Sequence, residues 1–556
     1  MNTLAKILTP KNLNNSLVLV GSFLLFGLLF LLSWASYRGF DFSDESYYHV
    51  GYLFHSEIDN PVIFFHRIYN AFFGVFGFTF AQNRVLALFL TLFSSIFLAY
   101  SSAIYFNIKE RTQLIIFVSV LGFLGHSIFP MSISYNLFSA LFSALLVGLT
   151  FLYLKKGKFI SIFLIGLFSM LLITNKFTNL SFLFFFFPII LFLDYFENKR
   201  RLFFYIKSVS IFLLGFIITL FFLFHSFSEL NASFSSFVYG LSLSTGHSLA
   251  SMLTKIVTDI TGLFFLVKYL LPTLIVGVFL KWKKNIPYSM KLITLTGIVN
   301  ILALVLINKG FCGRTSIYIF FFYLIFITIF IFLFFQKKGN TKKTLLYFVL
   351  ILIPFASSIG TNNSLFVQFT FYGNLFAVGL FLLFSRLENT YLRYFLIIIS
   401  LVISTFNISY NKIYNPYRIN TNLLQQTEEI KNIPYLAGLK VDVETKQQIN
   451  QLLALKKQTT SHIFLTSRQL GISLITEKEP LLFTWIDGSS FHLISKLLQQ
   501  KENKLSDDLL FVVPSQHTNK IIPQLLKVKA LNFESNYKII DNIENSKDTL
   551  IIYGKR

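Results

Sequence analysis

Long apolar runs separated by short polar turns dominate the first three quarters of the chain. Runs of about 17 to 25 residues, the length that crosses a bilayer as helix, fall near Ser16–Ser36, Gln82–Phe106, Leu114–Phe129, Asn136–Leu154, Phe159–Thr174 and Leu180–Tyr195. Seven more fall near Phe203–Phe224, Thr261–Leu280, Leu292–Ile307, Ser316–Phe335, Thr344–Ser358, Phe366–Phe384 and Tyr394–Ser409. About thirteen spans are predicted, an odd number that puts the two termini on opposite sides. No small-residue cleavage site follows the first run, which reads as a retained helix.

From about Asn415 the pattern changes to that of a soluble unit, with Gln, Glu, Lys, Asn and Thr throughout. Strands are predicted at Leu439–Val443, His462–Thr466, Leu481–Ile486, Asp508–Val513, Tyr537–Ile540 and Thr549–Tyr553. Helical stretches at Thr445–Leu455, Ser490–Gln500 and Asn519–Val528 alternate with them, the signature of a small α/β unit. No Gly-rich phosphate loop opens any of these helices, so no nucleotide is assigned. The expected division is a membrane domain over 1–410, with a loop at 37–81, and an α/β domain over 411–556.

Composition agrees: 54% of residues are hydrophobic, and 71 of them are Phe, more apolar mass than one soluble core needs. The net charge of +23 would suggest nucleic acid in a soluble protein. Here the basic residues sit in alternate turns, among them Lys109, Arg111, Lys155, Lys156, Lys199, Arg200, Lys281, Lys337 and Arg386, which marks those turns as cytoplasmic. Turns of opposite parity carry only Lys176, Lys309 and Arg314, roughly three basic residues against twenty. The loop after the first span and the C-terminal unit therefore share the outer side. A single cysteine, Cys312, excludes an internal disulfide framework and the zinc-cluster and redox motifs.

That first outer loop is too long for an ordinary turn and holds Asp41-Phe42-Ser43-Asp44-Glu45-Ser46-Tyr47-Tyr48-His49. Carboxylates are costly near hydrocarbon unless solvated or paired, so an acidic cluster among aromatics at this level reads as a site, against the plainer reading of a solvated loop. A carboxylate such as Asp44 or Glu45 can take the proton of an attacking hydroxyl, and neighbouring carboxylates can hold a divalent cation (Mg or Mn). Stretches at Pro61–Phe65 and Ala71–Phe80 are amphipathic and are expected to lie on the outer leaflet. Lys176 and Arg314 suit a lipid phosphate, the plainer reading being lysine stems snorkelling to headgroups. Lys268 lies in an apolar run and can face the same cavity, unless it sits at the interface. His49 reads as polar lining with Tyr47 and Tyr48, and Asn362 lies in a polar turn that can hydrogen-bond sugar hydroxyls or be an ordinary Gly-Asn turn.

The sequence Asp44-Glu45-Ser46-Tyr47-Tyr48, the Pro-containing segment Asn60-Pro61-Val62-Ile63-Phe64, the pair Arg84-Val85 opening the second span and Lys176 in a later outer turn together resemble the GT-C superfamily of membrane glycosyltransferases. The likeness is to bacterial members similar to protein O-mannosyltransferases and to the lipid A aminoarabinose transferase. It covers the chain to about Asn179, and beyond that only the architecture. It implies an inverting transferase in a bacterial inner membrane, N-terminus cytoplasmic and C-terminal domain extracytoplasmic. Such an enzyme moves a sugar from a polyprenyl phosphate donor to a lipid, glycan or protein acceptor, with Asp44 as base, Glu45 orienting the acceptor or binding a cation, and Lys176, Arg84 and Arg314 on the departing phosphate. Asp41 offers a second register for the base. The tandem proline of the family is reduced to Pro61, and its late Arg-Tyr segment is not recognisable. The competing classes are a transporter or flippase of lipid-linked sugars, which would place charges near mid-membrane and show internal symmetry, and a polysaccharide polymerase or ligase, whose long loop comes late in the chain.

Overall fold

The computed structural model describes residues 10–54, 64–127, 131–198, 202–231, 341–357 and most of 365–556, with isolated positions between 233 and 325. The spans expected near Thr261–Leu280, Leu292–Ile307 and Ser316–Phe335 lie largely outside these residues, as do Arg314, Lys268, Asn362 and Pro61.

The chain is a polytopic α-helical membrane protein that ends in an α/β unit. Its helices run in the order α1 (Pro10–Ser36), α2 (Asp44–Leu53), α3 (Phe65–Phe73), α4 (Phe80–Phe106), α5 (Arg111–Gly122), α6 (Tyr135–Lys156), α7 (Phe159–Asn175), α8 (Leu180–Asn198), α9 (Leu202–Leu223), α10 (Thr341–Ala356), α11 (Leu365–Phe371), α12 (Gly373–Ser385) and α13 (Thr390–Tyr414). Among the described residues five stretches are long and apolar enough to cross a bilayer: Asn12–Ser36, Phe80–Phe106, Tyr135–Lys156, Phe204–Leu223 and Thr390–Tyr414. Polar caps start several helices. Thr79 and Gln82 form a reciprocal capping box at α4, Ser134 Oγ accepts from Leu137 N at the head of α6, and Asn389 Oδ1 accepts from Leu392 N at the head of α13. The run predicted over Leu114–Phe129 is α only to Gly122 and tightens into a 3₁₀ turn over Phe123–Ser127.

In the C-terminal unit β3 (His462–Phe464), β4 (Glu479–Pro480), β5 (Leu509–Pro514), β6 (Tyr537–Glu544) and β7 (Thr549–Lys555) form one sheet in the order β4-β3-β5-β7-β6. The first three are parallel, and β7 runs antiparallel to β5 and β6. Every residue of β5 is buried because both faces are covered. Phe464, Phe511 and Val513 pack on the side of the helices Ile494–Gln499 and Thr518–Leu526, while Ile463, Leu510, Val512 and Ile552 join the core that continues into the bundle. The strand predicted at Leu439–Val443 does not enter this sheet. Its Lys440–Val441 portion, β2, pairs antiparallel with β1 (Glu428–Glu429) and bridges to Arg38. Leu481 and Leu482 of the strand predicted at Leu481–Ile486 lie outside any strand and 483–486 fall outside the described residues; the strand at that edge is Glu479–Pro480, in parallel register with His462 and Ile463.

These pairings seat the C-terminal unit on the loop that follows α1. Gly39 N donates to Lys440 O (2.8 Å), Lys440 N to Tyr37 O (2.8 Å) and Gly471 N to Phe42 O (2.8 Å). Two glycines make the approach possible. Gly39 has φ +76° and a Cβ there would run into Ile419, while a Cβ on Gly471 would lie 2.9 Å from the Phe40 ring and from Phe42 Cα.

Candidate functional site

The acidic stretch is a helix, not an irregular loop, and Asp41 builds its start. The buried Asp41 carboxylate accepts from Ser43 N (2.8 Å), Ser43 Oγ (2.6 Å) and Glu45 N (3.0 Å), satisfying backbone donors that open α2. Ser46 Oγ donates to the Asp41 carbonyl. Burial, with the neighbouring Asp44 charge, raises the Asp41 carboxyl to about 6 against three hydrogen bonds that pull it down. The register with Asp41 as the reacting acid is thus disfavoured by geometry: its oxygens face the helix start.

Glu45 and Arg84 are committed to each other. Glu45 Oε1 accepts from Arg84 Nε (2.7 Å) and Oε2 from Nη2 (2.5 Å), and Arg84 Nη1 and Nη2 donate to the carbonyls of Ser36 (3.1 Å), Arg38 (2.8 Å) and Gly39 (2.9 Å). All five guanidinium N–H groups are therefore used inside the protein. Burial pushes the Glu45 carboxyl up, and the charge and hydrogen bonds of Arg84 outweigh it, so the group titrates below the ordinary range. This corrects two expectations. Arg84 has no N–H left for a donor phosphate, and Glu45 faces Arg84 instead of an acceptor.

His49 is likewise a core residue rather than lining. It is buried, stacked on Phe80 at 3.9 Å, with Nε2 2.6 Å from Ser132 Oγ and Nδ1 2.6 Å from Tyr435 Oη. Ser132 Oγ donates its proton to Glu45 Oε1 (2.6 Å), so it accepts from His49 Nε2–H, and Nδ1 accepts from the Tyr435 hydroxyl. The imidazole is neutral, its pKa drawn down to about 3 by burial. The relay Tyr435–His49–Ser132–Glu45–Arg84 ties the C-terminal unit to α2 and α4.

Asp44 is the acid this clamp does not enclose. Its side chain retains 16% exposure, with Oδ2 accepting from Tyr417 Oη (2.5 Å) and Oδ1 from Arg418 Nη1 (2.9 Å). Beside it stands an aromatic wall: Tyr48 packs edge-on against Tyr135 (5.7 Å) and Phe65 (5.6 Å), and Tyr47 lies 6.2 Å from Phe65. Burial, with Asp44 and other neighbouring oxygens, holds the Tyr48 phenol far above its ordinary pKa, so it remains a hydrogen-bond donor. Tyr135 packs against Tyr48 and under a cation. It lies in the field of Asp44, and Lys176 Nζ stands 5.0 Å above its ring, with Lys176 itself only 7% exposed. The turn that carries Lys176 is pinned to the head of α6 by Asn175 Nδ2, which donates to Tyr135 O (2.7 Å), and Asn179 Nδ2, which donates to Ser139 Oγ (2.8 Å).

The donor set does not fit a divalent cation on Asp44 and Glu45. Glu45 is spent on Arg84 and Ser132, and a cation on Asp44 would sit against the Arg418 guanidinium; among the described residues no three His, Cys, Asp or Glu gather. Sequence reasoning missed Tyr135, Tyr417 and Arg418. The last two follow Asn415-Pro416, where Pro marks the end of α13 at the level of the acidic loop, and that was the available signal.

No protein-family model matches the chain, and no curated protein matches its sequence. Among solved structures it is similar to the oligosaccharyltransferase of Archaeoglobus fulgidus, tethered in its crystal to an acceptor peptide containing the NVT sequon. The identity is 12% and the TM-score 0.48, over 98% of this chain and 74% of that one. At that level of likeness the function rests on the site's own geometry.

Proposed function

We propose that the chain is a GT-C type glycosyltransferase that moves a sugar from a polyprenyl phosphate carrier to an acceptor hydroxyl on a lipid, glycan or protein. The observation that carries this reading is a partly exposed acid, Asp44, one helical turn before Tyr48, whose ring packs on Tyr135 (5.7 Å), with a buried lysine, Lys176, over that same Tyr135 ring at one end of an apolar bundle. Held lysines in apolar surroundings suit a lipid phosphate, and an acid at the water boundary suits a water-borne nucleophile.

The acceptor hydroxyl oxygen attacks the anomeric carbon, the bond from that carbon to the phosphate oxygen breaks with its electron pair going to the phosphate, and Asp44 takes the acceptor proton. Attack opposite the leaving group inverts the anomeric centre. Lys176 neutralises the released phosphate, with Arg314 and Lys268 as further candidates outside the described residues. Tyr47 and Tyr48, buried against Phe65 and Tyr135, back the helix that carries Asp44. Residues 1–410 form the catalytic membrane domain and 411–556 the outer domain, in a bacterial inner membrane with the N-terminus cytoplasmic. The basic-turn asymmetry supports this orientation.

The test is direct. Purified protein is incubated with a panel of radiolabelled polyprenyl phosphate sugars, and release or transfer of label is scored. At least one donor is expected to lose its sugar; inertness toward every donor would remove the transferase reading.

A further inference from the structure

The segment between α13 and the C-terminal sheet does more than connect them. Tyr417 and Arg418 each place one donor on one oxygen of Asp44, at 2.5 Å and 2.9 Å, and Arg418 Nη1 also donates to Ser43 Oγ at 2.8 Å. Ser43 Oγ in turn donates to Asp41. Arg418 holds a left-handed backbone conformation, φ +54°, that a residue with a side chain adopts at a cost.

Docking of the C-terminal unit does not require these contacts. It is held separately by the Lys440 bridge to Tyr37 and Gly39, by Gly471 on Phe42 and by Tyr435 on His49. The strand-side end of the segment is held by Asp442, which accepts from Thr445 N (2.9 Å), Thr445 Oγ1 (2.9 Å) and Gln426 Nε2 (3.2 Å). What Tyr417 and Arg418 add is orientation of Asp44. A carboxylate on the first residue of a helix has several open rotamers, and two donors on different oxygens select one of them. Each donor holds a different oxygen, so together they fix the direction of the carboxylate.

We propose that Tyr417 and Arg418 are positioning residues for Asp44, making the start of the C-terminal segment a working part of the reaction centre. This rests on the transferase reading above. Burial and the Asp44 charge keep the Tyr417 phenol protonated, so it serves Asp44 as a donor and does not compete for the acceptor proton. Arg418 supplies a charge-assisted contact whose direction a lysine reproduces only in part.

The experiment compares Tyr417→Phe, Arg418→Lys and Arg418→Ala in the full-length protein, with kcat, donor KM and thermal unfolding measured on each. Misdirecting a base costs turnover rather than ground-state binding. Tyr417→Phe is therefore expected to lower kcat about ten-fold and Arg418→Ala more, with Arg418→Lys between Arg418→Ala and wild type, donor KM within about two-fold and unfolding temperature unchanged. Wild-type kcat in both Tyr417→Phe and Arg418→Ala would overturn the positioning role while leaving the transferase reading intact. Losses of kcat that follow losses of unfolding temperature across the three variants would also overturn it, leaving a purely structural clasp. A wild-type protein inert toward every polyprenyl phosphate sugar would remove both readings together.

Discussion

Arg84 holds Glu45 through two parallel contacts, Nε to Oε1 at 2.7 Å and Nη2 to Oε2 at 2.5 Å, with both side chains buried. Its remaining donors close on three carbonyls of the chain leaving α1. The pair thereby fixes where α2 starts relative to α4, and so where Asp44 stands. Removing one partner of a buried pair strands the other charge, which costs about 3–5 kcal/mol. Arg84→Ala is accordingly expected to lower unfolding temperature and yield sharply, and Arg84→Lys to recover little because lysine lacks the planar fork. Arg84→Ala with unchanged unfolding but weakened donor binding would return Arg84 to the phosphate.

Asp41 gives the fold a pH signature. Its carboxyl is raised to about 6 in the folded protein, from an ordinary value near 3.8. The folded state thus holds the proton more tightly than the unfolded chain, and the stability linked to it is complete below about pH 4 and lost as pH rises through about 6. Asp41→Asn cannot titrate. The difference in unfolding temperature between wild type and Asp41→Asn should shift in favour of Asn between about pH 4 and pH 6 and be flat above about pH 7. A difference independent of pH over that window would mean that the Asp41 carboxyl is not raised.

Lys176 separates a phosphate ligand from a lysine that merely anchors a helix. A charge-assisted contact is worth about 1.5–3 kcal/mol, so Lys176→Ala should weaken donor binding or turnover by roughly ten- to a hundred-fold, with partial recovery in Lys176→Arg. Lys155→Ala, at the other end of α6, is the control for loss of a lysine far from the site. Equal, small effects at both positions would withdraw the phosphate from Lys176.

Periodicity and composition made much of this architecture legible. Apolar runs marked the bundle, and alternating strands and helices after Asn415 marked the sheet unit, because burial on one face or all round leaves a pattern in the sequence itself. The acidic stretch was legible as the place of interest, yet its roles were not. Asp41, Asp44 and Glu45 are alike in sequence, and their division into helix cap, partly exposed acid and buried ion partner is set by what packs over them: Ser43, Arg418 and Arg84. Tyr417 and Arg418 lie 373 and 374 positions from Asp44, and no local pattern reports a contact of that range. The strand predicted at Leu439–Val443 had the right residues for a sheet, but its partner at Arg38 sits in the loop after the first helix.

Asp44→Asn tests the central claim most directly. The amide keeps the size of the side chain and cannot take a proton, so transfer from the preferred polyprenyl phosphate sugar should fall about a hundred-fold or more, with donor binding and unfolding temperature close to wild type. Asp41→Asn, assayed beside it, should retain most of the transfer it has the stability to perform. Full transfer by Asp44→Asn, or its loss in Asp41→Asn at wild-type stability, would contradict the assignment of Asp44 as the base.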